Sequence, residues 1–198
     1  LRPGATRTFA ITYVAPLPAF PHGARHVRLW LPVPHNAPEQ TVRALTFSVP
    51  PQLATEPRYG NRIASWDFAS PPPGGVVTMR FICTRRELRT DFDALGDAAG
   101  PLAPRFAVFT QPTAFAAVDA RIRRISAEVT AGRPGTVAAC RAIYDYVLAH
   151  MRYDKREPGW GTGSSAFACD TGRGNCTDFH SLFNSLARAH GIATAFEI

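Results

Sequence analysis

The sequence lacks any apolar run long enough to cross a bilayer, and no basic segment followed by an apolar one opens the chain. Cysteine is also scarce, with 4 residues at irregular spacing and no CxxC pair. These absences argue against a membrane protein and against a disulfide-built scaffold. No acidic run has the spacing of a calcium loop. We therefore expect a soluble globular chain with no metal, no cofactor and no membrane partner.

Lysine is almost absent, because Lys155 is the only lysine among the 22 basic residues. The net charge of +7 invites a nucleic-acid interpretation. However, the arginines are scattered over both halves of the chain, and their densest clusters lack the interleaved aromatic residues of a base-stacking platform. We interpret the charge as a solvated basic surface and expect no nucleic-acid partner.

Residues 6–110 contain short β-type runs separated by joints rich in proline and glycine. Period-two alternation in VRLWL and VTMRFIC predicts an antiparallel β-sandwich of about seven strands, which we assign to a domain over residues 1–112. The segment SPPPGG, residues 70–75, is interpreted as a turn between two strands. The residues expected on the inner face are Val27, Leu29, Leu31, Val77, Met79 and Phe81.

From residue 113 onward the apolar spacing changes to three and four, which predicts helices and hence an α+β protein with a second domain over residues 113–198. The predicted helices cover 113–131, 136–151 and a segment that begins at Cys176. The first is expected to bury Phe115, Val118, Ile122 and Ile125, and the second Val137, Cys140, Ile143, Tyr144, Val147, Leu148 and Met151. The final ATAFEI is interpreted as the first strand of a further sheet.

Cys176 lies where a glycine-rich turn meets this third helix. Asn175 is a good N-cap residue, and Asp178 can return a hydrogen bond to the amide of the cap. Cys176 is then a first-turn residue, where unpaired amides and the helix dipole favour a thiolate and offer donors to an oxyanion. Gly172 and Gly174 leave room for a substrate backbone near the sulfur.

The stretch GRGNCTDFHSLFNSLARAHGIATAF resembles the nucleophile helix of the transglutaminase-like superfamily, and the PGWG loop is similar to that of a bacterial branch. The residues that fit the family pattern are Gly174, Cys176, Asp178, Arg188, Gly191 and Ile192. The resemblance implies a papain-like Cys-His-Asp site, on the helical half of an α+β catalytic core, that transfers acyl groups from amides through a thioester. Cys176 would be the nucleophile.

The family's histidine and aspartate lie on strands after the nucleophile helix, and none of the six histidines here follows that helix. The resemblance therefore implies a core truncated after the nucleophile helix, inactive by itself, with its base beyond residue 198. We expect the exposed edge of such a fragment to be covered by a homodimer or a domain swap, unless the chain was cut from a longer protein. His180, four residues after Cys176, is an alternative base.

Trp160, in the glycine-flanked loop before the nucleophile, is a candidate oxyanion donor or part of a substrate loop together with Gly174, and aromatic packing is the alternative. Two other chemistries also remain open. Cys169, Cys176, His180 and His190 offer sulfur and nitrogen to a metal, although their spacing matches no common zinc pattern. A disulfide between Cys169 and Cys176 would block the nucleophile reversibly.

The leading hypothesis is cysteine-dependent acyl transfer, or hydrolysis of an amide or peptide bond, acting on a protein or peptide amide, with hydrolysis favoured over cross-linking. The alternative hypothesis is a binding or assembly module in which the transglutaminase-like part is an inert scaffold. A β-domain rich in proline before such a core favours an extracytoplasmic location.

Overall fold

The computed structural model describes residues 4–18, 20, 23–69, 75–92, 94–96 and 102–197. The chain divides into two compact units, Leu1–Asp91 and Phe92–Ile198. Compactness alone does not test the predicted domain boundary between residues 112 and 113, which stays a prediction. Within the described ranges, no helix combines the length and the apolar character that crossing a membrane requires.

The first unit consists of six described strands in two antiparallel sheets, close to the seven that the sequence predicts. The strands are β1 (Thr6–Pro16), β2 (Val27–Pro32), β3 (Gln40–Phe47), β4 (Gln52–Thr55), β5 (Arg62–Phe68) and β6 (Val76–Arg86). Their order is β1-β6-β3 in one sheet and β2-β5-β4 in the other. Residues 70–74 of the predicted turn lie outside the described residues.

Side chains from both sheets meet in one core, which contains Leu31, Val33, Ala64, Trp66, Val77 and Met79. Leu29 and Phe81 pack against it, so the alternation in β2 and β6 predicts the buried face of both strands. The indole N–H of Trp66 donates to the Val49 carbonyl at 3.0 Å, which satisfies its polar edge.

The second unit is mainly helical, so the predicted α+β class, with antiparallel sheets before helices, is confirmed. Its elements are α1 (Ala120–Thr130), α2 (Thr136–His150), β7 (Arg152–Tyr153), α3 (Ser165–Thr171), β8 (Arg173–Gly174) and α4 (Cys176–Ala189), preceded by a 3-10 helix over Pro104–Thr110. Helix α4 packs against the other three helices. Its core residues Leu182, Leu186 and Ala187 are fully buried.

Two helix predictions need correction. Helix α1 begins at Ala120 and not at residue 113, because the Asp119 carboxylate caps it by accepting a hydrogen bond from the Ile122 amide at 2.8 Å. Phe115 therefore lies before the helix, with 60% of its surface exposed. Helix α3, which Ser164 caps, occupies a segment that the sequence presents as a loop.

The burial pattern of α2 also differs from the prediction. Ile143 and Val147 are buried as expected, but Tyr144 and Leu148 are about half exposed and Cys140 is only partly buried. Residues 192–197 form no strand within the described chain, so the strand expected over ATAFEI stays a prediction. The Arg188 guanidinium holds this segment by donating to the Thr194 carbonyl at 2.9 Å.

Candidate active site

Cys176 is the first residue of α4, and its side chain is exposed. The side chain of Asn175 accepts hydrogen bonds from the amides of Thr177 and Asp178, as an N-cap residue does. The other three cysteines are less accessible, because Cys83 and Cys169 are buried and Cys140 is partly buried. Cys176 is therefore the thiol most open to a substrate.

Asp178 has no exposed surface, and its carboxylate connects the helix to a distant loop. It accepts hydrogen bonds from the amides of Gly161 at 2.7 Å, Gly163 at 3.0 Å and Asn175 at 2.9 Å. The last of these completes a capping box with Asn175. The first two reach back 17 and 15 residues along the chain. One buried carboxylate thus fixes both the start of α4 and the loop over residues 159–163.

The glycines of this loop allow its backbone to lie against the first turn of α4. Gly161 and Gly163 have φ values of +78° and +70°, which other residues rarely adopt. A Cβ atom on Gly161 would lie 3.1 Å from Nδ2 of Asn175, and one on Gly163 would lie 3.0 Å from Cγ2 of Thr177. Sequence reasoning missed these two glycines, although their alternation in GWGTG signals a tight loop.

Trp160 lies in the same loop, between Gly159 and Gly161, and 39% of its surface is exposed. Within the described chain, neither the indole N–H of Trp160 nor the backbone N–H of Cys176 donates a hydrogen bond. Both are therefore free to donate to a ligand. The structure places Trp160 beside the turn that carries Cys176, because the amide of the next residue binds Asp178.

The other end of the loop is held to the strand before Cys176. The Asp154 amide donates to the Gly174 carbonyl at 3.0 Å, next to the parallel pair of β7 and β8. The Asp154 carboxylate pairs with Arg156 and with Arg173, each at 2.7 Å. Its hydrogen bonds, chiefly those from Arg156, hold the pKa of Asp154 well below its usual range. The loop between residues 154 and 163 is thus anchored on both sides of Cys176.

Gly172 and Gly174 have structural reasons to be glycine that the sequence does not show. Gly172 ends α3 in the left-handed conformation, where a Cβ atom would lie 2.9 Å from the His150 carbonyl oxygen. At Gly174 the space for a side chain is occupied by Asp178, whose Cγ would lie 2.7 Å from a Cβ atom. Gly174 is therefore what allows the Asp178 carboxylate to approach the backbone of β8.

We expect Gly174→Ala to lower the free energy of unfolding of the second unit by about 2–4 kcal/mol, because the added methyl group must displace Asp178 or the backbone. Urea denaturation measures this loss. Gly132→Ala is the matched control, because Gly132 also has a positive φ of 67° but a Cβ atom there would meet no neighbour. Equal losses in both variants would mean that backbone strain alone, and not contact with Asp178, causes the effect.

The remaining candidate residues do not converge with Cys176. His180 is exposed, and its ring meets the Phe196 ring edge-on at 4.7 Å; among the described residues it forms no hydrogen bond with Cys176 and none with a carboxylate. The Nδ1 atom of His190 lies 3.1 Å from the Thr130 hydroxyl. Cys169 and Cys176 are both free thiols. No group of three metal-ligating side chains occurs in the part of the chain that the structure describes.

Comparison with known proteins shows which family and which relative this chain is similar to. Residues 123–198 match the family model described as "Transglutaminase-like superfamily". An "Uncharacterized protein" of Haemophilus influenzae is 24% identical over 195 residues, which cover 93% of this chain and 52% of that protein. The chain thus spans about half the length of this curated relative.

A solved structure, "a Putative Cysteine Protease from Cytophaga hutchinsonii", is similar with a TM-score of 0.69 and 15% sequence identity. The match covers 97% of this chain and 66% of that one. At this identity the likeness shows a shared fold, in which sheets precede a helical core of the papain-like type. The family match over residues 123–198 includes the whole nucleophile-helix pattern, so this part of the chain is similar to the core of the transglutaminase-like superfamily.

Proposed function

We propose that Cys176 is the nucleophile of a cysteine-dependent hydrolase or acyltransferase that acts on protein or peptide amides. The thiolate sulfur attacks the carbonyl carbon, the C–N bond breaks, and the amine leaves with a proton. Water then attacks the resulting thioester, which releases an acid and returns the thiol. An amine in place of water would give a new amide, and we favour hydrolysis.

The observation that carries the proposal is an exposed thiol on the first residue of a helix whose start is fixed by a buried carboxylate. The free backbone N–H of Cys176 and the free indole N–H of Trp160 are suitable donors to the oxyanion that forms on the carbonyl oxygen. The first is part of the helix start, and the second is held in place by the Asp178 contacts. Such preorganised donors lower the barrier to acyl transfer.

The family resemblance implies where the general base lies. In the superfamily the histidine and its orienting aspartate follow the nucleophile helix, so we propose that they lie beyond residue 198. His180 is a weaker candidate, because no described carboxylate orients its ring and its contact is the Phe196 side chain. Without that base, the thiol of the 198-residue chain alone would still react with electrophiles, but the chain would turn over amides poorly.

We expect iodoacetamide at neutral pH to modify Cys176 at least about ten times faster than the other cysteines. Burial raises the pKa of the Cys140 and Cys169 thiols, which leaves them less reactive. Cys83 is buried in the first unit. The four cysteines lie on four different tryptic peptides, so mass spectrometry gives each rate separately, with residues 174–188 reporting Cys176.

The control is the same reaction in denaturant, where the four rates should become similar because exposure no longer differs. Equal and slow modification of all four cysteines in the folded chain would contradict the nucleophile assignment. That outcome would favour a binding module with an inert transglutaminase-like scaffold.

A further inference from the structure

Three exposed side chains form a cation–aromatic cluster: Tyr153 at the end of β7, and Lys155 and Trp160 in the loop that follows. The Lys155 ammonium lies 5.6 Å from the centre of the Tyr153 ring and 5.5 Å from the centre of the Trp160 ring. Tyr153 exposes 63% of its surface and Trp160 exposes 39%. Two large aromatic rings left in solvent, with one cation between them, are more often part of a binding surface than of a core.

Among the described residues, no carboxylate neutralises the Lys155 cation. The nearby Asp154 carboxylate is already shared by two other cations, Arg156 and Arg173. No described carboxylate lies within 4.0 Å of Lys155, and Glu157 forms no ion pair with it. An ammonium that two rings hold in place, and that has no carboxylate partner, is preorganised for an anionic ligand.

Backbone hydrogen bonds join the segments that carry this cluster to the residues that flank the proposed nucleophile. Tyr153 pairs with Gly174 in the short parallel ladder, two residues before Cys176. Its ring centre also lies 6.4 Å from that of Phe179, on the first turn of α4. Trp160 precedes Gly161, whose amide binds Asp178. The cluster is therefore anchored to residues on both sides of Cys176.

We propose that Tyr153, Lys155 and Trp160 form a subsite for a carboxylate group on the acyl donor, so that the substrate is an acidic peptide amide. The Lys155 ammonium pairs with the carboxylate, and the two rings pack against the carbon atoms that carry it. This inference rests on the proposed function, because it assigns the substrate class of the same site.

The test compares two alkylating reagents that react with a thiolate by the same substitution but differ in charge. In both, the sulfur forms a bond to the methylene carbon and iodide leaves; iodoacetate carries a carboxylate, and iodoacetamide is neutral. The measured quantity is the rate with iodoacetate divided by the rate with iodoacetamide at Cys176. Both rates are read on the peptide of residues 174–188. We expect Lys155→Gln to lower this ratio about two- to fivefold at low salt, and salt near 1 M to lower the wild-type ratio similarly.

Two variants serve as controls. Lys155→Arg keeps the charge and should keep the ratio, whereas Arg123→Gln removes one charge from α1 and should leave the ratio unchanged. Circular dichroism shows whether each variant is folded. An unchanged ratio in Lys155→Gln, or an equal fall in Arg123→Gln, would overturn the carboxylate subsite. The iodoacetamide rate alone tests the nucleophile, so failure of the subsite and failure of the proposed function are told apart.

Discussion

Replacing Asp178 by alanine is expected to lower the free energy of unfolding of the second unit by about 3–5 kcal/mol. The Asp178 carboxylate is fully buried and accepts three backbone hydrogen bonds, two of them from the loop over residues 159–163. Alanine leaves these amides without an acceptor and leaves a cavity beside Gly174. Each lost hydrogen bond to a charged group costs about 1.5–3 kcal/mol, and neighbouring losses do not add fully.

Urea denaturation measures the loss of stability, and hydrogen exchange locates it. The amides of Gly161 and Gly163 should exchange faster in the variant, because their acceptor is gone. Asp145→Ala makes the same chemical change at an exposed carboxylate that pairs with Arg141, so it should cost less than about 0.5 kcal/mol. If Asp178→Ala were no more harmful than this control, the loop would be held by other contacts and not by the carboxylate.

Asp178→Asn separates charge from shape. The amide group keeps one oxygen acceptor, but its NH₂ group must face a backbone N–H that now lacks a partner. We expect a loss of stability between those of wild type and Asp178→Ala. The loop between residues 154 and 163 carries Lys155 and Trp160. These variants are therefore also expected to slow modification of Cys176 by iodoacetate more than by iodoacetamide.

Replacing Cys176 by alanine is expected to affect the turnover of substrate and not the stability of the fold. In the whole protein, Cys176→Ala is expected to reduce turnover of an amide substrate by at least about 10³-fold, because no thioester can form. The free energy of unfolding should change by less than about 0.5 kcal/mol, because the side chain is exposed and lies outside the described hydrophobic core of the second unit. The rate of amide hydrolysis is measured as the release of amine or ammonia.

Cys140→Ala is the matched control, because it removes another thiol from the same unit and should leave turnover unchanged. Acid quenching of the wild-type reaction should trap an acyl group on the peptide of residues 174–188, and the same peptide should stay unmodified in Cys176→Ala. Turnover that survived in Cys176→Ala would place the chemistry elsewhere and remove the basis of the proposed function.

The predictions that succeeded depend on local patterns. Alternation in β2 and β6 predicted their buried faces, and helical spacing predicted α2 with Ile143 and Val147 buried. Those that failed were decided by competing contacts. Asp119 caps α1 and moves its start to Ala120, and Tyr144 and Leu148 lie on a face of α2 that the other described helices leave half exposed. Periodicity shows which residues share a face, but it does not show how much of that face a neighbour covers.

The sequence by itself determined that Cys176 opens a capped helix, because capping joins residues only two or three positions apart and leaves its signature in their order. Only the tertiary structure decided what surrounds that thiol. The contacts of Asp178 with Gly161 and Gly163, and the placing of Lys155 between two rings, join segments distant in sequence. Any backbone amide can donate such a hydrogen bond, so no residue pattern identifies which ones do until the chain has folded.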